Sequence, residues 1–210
     1  MNIRKGMFIT FEGGEGAGKT TQIELLRKKL IEAGHDVVTT REPGGVPEAE
    51  KIRDLLVKSD GGNWDPLSEC LLFFTARRMH VETLIKPALE AGKIVISDRF
   101  TDSTIAYQGY GHGFEMDLIL KTKKLSIDHF QPDITFLLDL PAVEGLQRSK
   151  RRLAEAESNE DKFENLDLSF HERLRDGFLE IAKNEPERVT VINAQDDIET
   201  ISQNIWDSLK

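Results

Sequence analysis

The chain has 210 residues, of which 39% are hydrophobic and 31% are charged, and its net charge is −9. This length predicts a single domain, and the ordinary apolar content excludes disorder over most of the chain. The acidic balance argues against a protein that coats nucleic acid, and no apolar run approaches the roughly 20 residues that span a bilayer. The apolar stretch Met7–Phe11 is too short for a secretory signal. Cys70 has no possible partner within the chain, so we expect a cytoplasmic protein without disulfides.

Five short runs rich in apolar and β-branched residues predict five strands. They are Met7–Phe11, Asp36–Thr40, Lys93–Ser97, Ile134–Leu138 and Val189–Asn193. Segments with helical periodicity alternate with these runs. They are Thr20–Ala33, Pro66–Leu84, Asp117–Ile127, Pro141–Ala156, Ser169–Lys183 and Asp197–Leu209. Pro87 is expected to end or kink the second helix, because proline lacks the N–H that continues a helix.

Alternating strands and helices predict an α/β fold, with a parallel sheet covered by helices on both faces. Ligands of such folds bind at the carboxyl edge of the sheet, so the residues that follow each strand are the candidate site.

A glycine-rich loop follows the first predicted strand and precedes the first predicted helix. Its sequence, Gly13-Gly14-Glu15-Gly16-Ala17-Gly18-Lys19-Thr20-Thr21, matches the pattern G-x-x-x-x-G-K-[ST] in the context that this pattern requires. Glycines let consecutive backbone N–H groups face a phosphate, Lys19 offers charge to β- and γ-phosphate oxygens, and the Thr20 hydroxyl can hold Mg²⁺. We therefore predict a nucleoside triphosphate site in a three-layer P-loop NTPase fold. A guanine-reading N-K-x-D motif is missing after the fourth strand, at Leu138–Pro141, which argues against a GTPase.

Charged residues also follow the second and third strands. Asp98 is placed to support Mg²⁺, and Arg99 to meet a phosphate, although a structural ion pair is the alternative interpretation. The turn Arg41–Gly45 adds a second positive charge at the same edge. Phe73 and Arg77 are one helical turn apart, so they can stack on a planar base and hydrogen-bond its edge. Taken alone, Phe73 is interpreted as a core residue, because Leu71, Leu72 and Phe74 surround it.

Four segments together are similar to the thymidylate kinase family. They are Phe11–Thr21, Arg41–Gly45, Leu72–Arg77 and Asp98–Gly109. The similarity continues through Phe136–Leu140 to the C-terminal helix, so it covers nearly the whole chain. It implies one P-loop kinase domain over residues 1–210 that transfers the γ-phosphoryl group of ATP to dTMP with Mg²⁺, giving dTDP and ADP, and that forms a homodimer. Neither nucleic acid nor a membrane is an expected partner.

The resemblance also implies a dTMP site. Its residues are Glu15, Arg41, Pro43, Arg53, Phe73, Arg77, Arg99, Thr104, Tyr107 and Gln108. Phe73 stacks on thymine and Arg77 hydrogen-bonds its edge, while Tyr107 crowds the 2′ position of the sugar and Glu15 contacts its 3′-OH. The acceptor phosphate is surrounded by Arg41, Arg53 and Arg99.

Catalysis is implied for Lys19, Asp98, Arg99 and Arg152, with Mg²⁺ at Thr20 and Asp98 and ATP held by Gly13–Thr21 and Arg148. The phosphate loop carries no arginine, so a mobile lid at about residues 145–165 has to supply one. Arg152 is the closest match and Arg148 a plausible helper. Beyond them, residues 153–164 are longer and more acidic than the family pattern, and Lys162 stands where a second lid arginine is usual. The division of labour among Arg148, Arg152 and Lys162 therefore stays open.

The sequence leaves two alternative functions open. One is a related kinase that accepts dUMP, UMP or a nucleoside, and the other is a catalytically silent nucleotide-binding protein. Gly109–Gly113 is interpreted as a flexible connection without a catalytic role for His112, and His80 is expected to be solvated or to cap a helix.

Overall fold

The computed structural model describes residues 3–58, 60–156 and 162–210, with the backbone alone over 152–156. Its centre is a five-stranded parallel sheet in the order β2-β3-β1-β4-β5. The strands are β1 Phe8–Glu12, β2 Val37–Arg41, β3 Ile94–Asp98, β4 Ile134–Asp139 and β5 Val189–Asn193. The five-strand prediction is confirmed, with each of the first four strands ending one residue later than expected. Because all strands are parallel, their carboxyl ends meet at one edge.

Helices cover both faces of the sheet. They are α1 Lys19–Glu32, α2 Pro47–Val57, α3 Pro66–His80, α4 Lys86–Glu90, α5 Thr101–Thr104, α6 Met116–Ile127, α7 Ala142–Ala156, α8 Leu168–Asn184 and α9 Ile198–Ser208. The sequence prediction omitted α2, although Pro47 at its start and buried Ala49 and Leu56 on one face are helix signals. Within the described ranges, no helix is long and apolar enough to cross a membrane.

Pro87 does not end the helical segment after α3. A π-helical turn, Val81–Ile85, precedes it, and α4 then carries the helix through Pro87 to Glu90. The backbone N–H of Lys86 bonds the carbonyl of Val81, five residues back, so the helix is locally wider before the residue that lacks a donor.

A second π-helical turn, Ile105–Gly111, continues directly from α5 and corrects the prediction of a flexible connection. The turn is packed tightly, because a Cβ added at Gly111 would lie 2.5 Å from the Phe170 ring and one at Gly109 would lie 2.7 Å from the methyl group of Met116. These glycines permit close packing against α6 and α8, and the turn buries Tyr107 and Gln108.

The hydrophobic core lies in two layers, one on each side of the sheet. The layer beneath α1 and α9 contains Ile9, Phe11, Leu26, Phe136 and Ile205. The layer on the other side, beneath α3, α6 and α8, contains Phe74, Tyr107, Leu137, Leu174 and Phe178. Thr10 and Glu12 alternate with the apolar residues of β1, so they are polar groups buried on the second side.

Candidate active site

A cleft of about 1110 Å³ opens at the carboxyl edge of the sheet. It is lined by the phosphate loop, the ends of β2 and β3, one face of α3, the 105–111 turn and the lid. The predicted site residues that line it are Glu15, Gly16, Ala17, Gly18, Lys19, Thr20, Thr21, Arg41, Pro43, Arg53, Phe73, Arg77, Asp98, Arg99, Thr104, Tyr107, Gln108 and Arg148. Gly13 and Gly14 form the back of the phosphate loop instead, against a smaller cavity. The side chain of Arg152 lies outside the described residues.

The phosphate loop turns sharply between β1 and α1. Gly16 and Gly18 have φ values of 68° and 91°, and a Cβ at Gly16 would lie 2.2 Å from the Gly145 carbonyl oxygen of α7. Glycine is therefore required at this point, where the loop approaches the lid helix. Lys19 Nζ donates to the carbonyl oxygens of Gly13 and Gly14 at 3.1 and 3.0 Å, so it lies across the loop. Burial, followed by the charge of Arg99, lowers the pKa of Lys19.

Thr20 and Asp98 meet beside the phosphate loop. The Thr20 hydroxyl donates to Asp98 Oδ2 at 3.4 Å, which joins the start of α1 to the end of β3. A hydroxyl and a single carboxylate suit Mg²⁺, which binds proteins through one or two such oxygens and keeps water and phosphate in its other positions. The described residues contain no group of three or more His, Cys, Asp and Glu that could form a closed metal site.

Arg99 lies at the centre of the site, in the left-handed conformation with φ 69°. Its guanidinium donates to Glu15 Oε1 at 2.8 Å, to the Gly13 carbonyl at 3.1 Å and to Ser103 Oγ at 3.2 Å. The Tyr107 ring lies 4.9 Å from the guanidinium carbon, and its hydroxyl donates to the same Glu15 oxygen. Burial raises the pKa of Tyr107 well above its ordinary value, so the phenol stays a donor.

Arg77 is buried at the far end of the cleft, on α3. It donates to Glu42 Oε2 at 2.7 Å, and its Nη2 donates to the Phe100 carbonyl at 3.0 Å and to Thr104 Oγ1 at 3.1 Å. Its Nη1 has no hydrogen-bond partner among the described residues. A buried guanidinium with one unused side is suited to hydrogen-bond the edge of a planar ligand.

Phe73 lies one turn before Arg77 and packs against Leu56, Val57 and Phe163. The alternatives that the sequence left open for Phe73 thus coexist, because the ring lines the cleft and also belongs to a small apolar cluster.

Glu42 and His80 were missed as site residues. His80 is fully buried rather than solvated or a helix cap, and its ring hydrogen-bonds Glu42 Oε1 at 3.0 Å and Thr40 Oγ1 at 2.7 Å. Glu42 therefore hydrogen-bonds both Arg77 and His80, and these bonds fix the orientation of the Arg77 guanidinium. The signal available in the sequence was spacing, since residues 77 and 80 share a helix face and Glu42 follows Arg41 at the end of β2.

Arg41 and Arg53 border the cleft on the other side of the Glu42–Pro43 turn. Arg41 is about half exposed and donates to Glu50 Oε2 at 3.0 Å, while Arg53 donates to the Pro43 carbonyl at 2.8 Å. Glu50 also accepts the Gly45 backbone N–H at 2.8 Å, which ties this turn to α2.

Both described parts of the lid, residues 145–156 and 162–165, make contacts at the cleft. Arg148 donates to the Ala194 carbonyl at 3.3 Å beside the phosphate loop, whereas Lys162 pairs with Glu69 of α3 at 2.6 Å. Between them, Ser149 donates to the buried Glu164 at 3.2 Å. The Phe163 ring lies 5.2 Å from that of Tyr107, so Phe163 lines the cleft, a position that sequence reasoning did not assign.

The fold and the site together define a protein of the P-loop NTPase fold, in which the phosphate loop and several arginines line one cleft. The chain matches the family model for thymidylate kinase over residues 11–205. The chain therefore belongs to the thymidylate kinase family.

Comparisons with individual relatives lead to the same family. The chain is 49% identical to the thymidylate kinase of Caulobacter vibrioides, an alignment that covers 98% of this chain and 96% of that protein. It is 47% identical to the thymidylate kinase of Geobacter sulfurreducens, with 97% and 96% covered. The crystal structure of thymidylate kinase from Ehrlichia chaffeensis matches with a TM-score of 0.77 at 42% identity, covering 97% of this chain and 98% of that one.

Proposed function

We propose that this chain transfers the γ-phosphoryl group of ATP to dTMP, giving ADP and dTDP. The observation that carries the proposal is Arg77, a buried guanidinium whose Nη1 is unused among the described residues, beside Phe73 in a cleft that has a phosphate loop at its other end. A planar base at Phe73 and Arg77 directs the monophosphate of a nucleotide toward Arg99 and the phosphate loop. Membership of the thymidylate kinase family supports dTMP as that nucleotide.

Catalysis by these residues is a matter of position and charge. Two phosphate groups repel each other, and Lys19, Arg99 and Arg41 supply positive charge around the point where they meet. Glu15 and Tyr107, already joined by a hydrogen bond, face the sugar of the acceptor. In this role, Glu15 binds the 3′-OH and the Tyr107 ring disfavours a 2′-OH.

Mg²⁺ belongs to the same proposal. Thr20 and Asp98 would hold it, directly or through its water shell, and the ion would neutralise negative charge on the β- and γ-phosphates.

The lid arginine is proposed from the geometry of α7. Arg148 lies against the phosphate loop, and Arg152 follows it by four residues on the same helix, hence on the same face. We assign the arginine that meets the transferring phosphoryl group to Arg152 and a supporting role to Arg148. Lys162 is engaged with Glu69 and is assigned to closing the lid.

We also propose that the protein is a cytoplasmic homodimer. Leu67 and Leu71 on α3 and Leu120 on α6 are each between 44% and 48% exposed, and the two helices pack against each other. A second copy packed against these helices would cover them.

A panel of acceptors tests the function. ADP formation from ATP and Mg²⁺ is measured with dTMP, dUMP, UMP and thymidine, and we expect the highest kcat/KM with dTMP. Preference for UMP or thymidine would contradict the proposal in favour of a related kinase. Nucleotide binding without acceptor-dependent ADP formation would favour a catalytically silent protein.

A further inference from the structure

Glu12, the last residue of β1, is a buried carboxylate to which the proposed reaction gives no task. It is 1% exposed and lies on the side of the sheet that faces α5. Its Oε1 accepts the backbone N–H groups of Phe100 at 2.7 Å and of Ser103 at 3.3 Å. Its Oε2 accepts the Ser103 hydroxyl at 2.5 Å. All these partners lie in the segment that begins immediately after Arg99.

Ser103 links this carboxylate to Arg99. Because the hydroxyl proton of Ser103 is donated to Glu12, the lone pairs of Ser103 Oγ are left to accept, and Arg99 Nη1 donates to that oxygen at 3.2 Å. Hydrogen bonds in such a chain polarise one another in the same direction. The carboxylate therefore fixes which way the serine points and, through it, where the guanidinium lies.

The same carboxylate supports the backbone of Arg99. A left-handed conformation, φ 69°, is unfavourable for a residue with a long side chain and persists only where its surroundings hold it. Arg99 N–H donates to the Phe11 carbonyl at 2.9 Å, Ser97 Oγ donates to the Arg99 carbonyl at 2.8 Å, and Glu12 binds the next N–H. Hydrogen bonds to β1 therefore fix the backbone at Arg99 and at the residue that follows it.

Other charges surround the carboxylate. Asp102 of α5, which is paired with Arg188 at 2.8 Å, acts on Glu12 from one side, and Arg99 acts on it from the other; Lys19 of the phosphate loop is also within its electrostatic reach. Glu12 is therefore part of the charge arrangement beneath the phosphate site, although it does not line the cleft itself.

We propose that Glu12 and Ser103 form a positioning pair that orients Arg99 toward the acceptor phosphate. The inference rests on the proposed function only in giving Arg99 that phosphate as its ligand. Neither residue of the pair needs to touch substrate for this role.

The test compares Glu12→Gln and Ser103→Ala with the unmodified protein at pH 8, where a carboxyl with a pKa of about 7 is ionised. The glutamine still accepts from Phe100 N–H, but its amide donates to Ser103 Oγ and turns the serine proton toward Arg99. We expect kcat/KM for the acceptor to fall by about 10²-fold in Glu12→Gln, the scale of a small misplacement of a reacting group. KM for ATP should change little, because Lys19 and the phosphate loop keep their own contacts. Unchanged acceptor kinetics in both variants would overturn the inference.

Asp133→Asn is the matched control. The Asp133 carboxylate also accepts a backbone N–H of β1, that of Phe8 at 2.7 Å, but at the opposite end of the strand from the cleft. This variant should lower Tm without lowering kcat/KM for the acceptor. An equal loss of kcat/KM in Asp133→Asn would mean that any weakening of β1 has this effect, and would contradict a positioning role.

A double-mutant cycle separates positioning from stability. If Glu12 acts through Arg99, then adding Glu12→Gln or Ser103→Ala to Arg99→Ala should cause no further loss of kcat/KM, because the group to be positioned is gone. If the losses of kcat/KM in the single variants add fully in the double variant, then Glu12 and Ser103 act on a group other than Arg99. The cycle uses whichever monophosphate the unmodified protein phosphorylates best, so a different acceptor would refute the proposed function while leaving this inference testable.

Discussion

The Arg77 guanidinium donates to three described acceptors, and its remaining nitrogen, Nη1, has no described partner. The acceptors prevent the guanidinium from turning, so the unused nitrogen has a fixed direction. This rigidity favours recognition of one base edge over another, since a wrong donor or acceptor would leave a buried group unpaired.

We predict that Arg77→Lys raises KM for dTMP by roughly 10- to 10²-fold, the range expected for losing a hydrogen bond to a charged group. The lysine keeps a positive charge for Glu42 but cannot also reach the base edge in a fixed plane. Steady-state kinetics with varied dTMP measure the effect. Arg78→Lys is the control, because Arg78 is an exposed neighbour on the same helix. A normal KM in Arg77→Lys would remove Arg77 from base recognition.

Glu12 also predicts a pH dependence of stability. Burial, followed by the charge of Asp102, raises the pKa of Glu12 from 4.5 to about 7, so between these values the folded protein holds a proton that the unfolded chain has released. This contribution to stability is complete below pH 4.5 and is lost as the pH rises through 7. Glu12→Gln lacks it, so Tm of the variant relative to the unmodified protein should rise from pH 5 to pH 8. A constant difference in Tm across that range would contradict the raised pKa.

At the scale of elements, the 105–111 turn is the clearest case of a segment shaped by its neighbours. It carries Tyr107 and Gln108 into the site, and its glycines are in contact with Met116 of α6 and Phe170 of α8. A wider π-helical turn shifts the side chains that follow it relative to a regular helix, which is why such turns are frequent at functional sites.

Gly111→Ala should destabilise the protein by about 1–3 kcal/mol, because its Cβ would overlap the Phe170 ring. Thermal unfolding measures this, with a shift in Tm of roughly 2–4 °C per kcal/mol for a chain of this size. The second substitution Phe170→Leu should restore part of the loss in the double variant by making room. Equal Tm values for Gly111→Ala and the unmodified protein would show that the turn is loosely packed.

The lid yields a prediction about turnover. Arg152→Ala should reduce kcat by about 10³-fold or more, the scale for an arginine that stabilises a transferring phosphoryl group, with little change in KM for dTMP. Lys162→Ala should be milder, because Lys162 pairs with Glu69 rather than with the phosphate loop. Single-turnover phosphoryl transfer distinguishes these effects. Near-normal kcat in Arg152→Ala would assign the role to Arg148 or Lys162.

At the scale of the whole molecule, the acidic net charge of −9 surrounds a cleft whose lining contains Lys19, Arg41, Arg53, Arg77 and Arg99. The same lining also contains acidic residues, so the cleft is less acidic than the molecule as a whole. A small anion can reach these cations, whereas a nucleic acid would also meet the acidic surface. Exposed leucines on α3 and α6 form the surface that we propose as the dimer interface.

Leu71→Glu should convert the proposed homodimer to a monomer, because a charge would be buried at its centre. Light scattering coupled to gel filtration measures the mass, and Ile198→Glu, on a residue of α9 that is 51% exposed on the other face of the sheet, is the control. A dimer that persists in Leu71→Glu would move the interface to another surface.

Much of the fold follows from local patterns. The five strands, the phosphate loop and the cationic ends of β2 and β3 were predictable because each depends on residues close together in the chain. The helix α2 and the 105–111 turn were missed or misread. In the turn, glycines that suggest conformational freedom are required by the close approach of Met116 from α6 and of the Phe170 ring from α8, and no local pattern indicates these contacts.

The kind of site can be predicted from the chain alone, because a phosphate loop is a contiguous motif whose backbone and side chains act together. The contacts that hold the site in place become visible only in the folded molecule. Glu42 meets Arg77 across 35 residues, and Ser103 meets Glu12 across 91. Hydrogen bonds between such distant residues depend on how the strands and helices pack, so they leave no periodic signal in the chain.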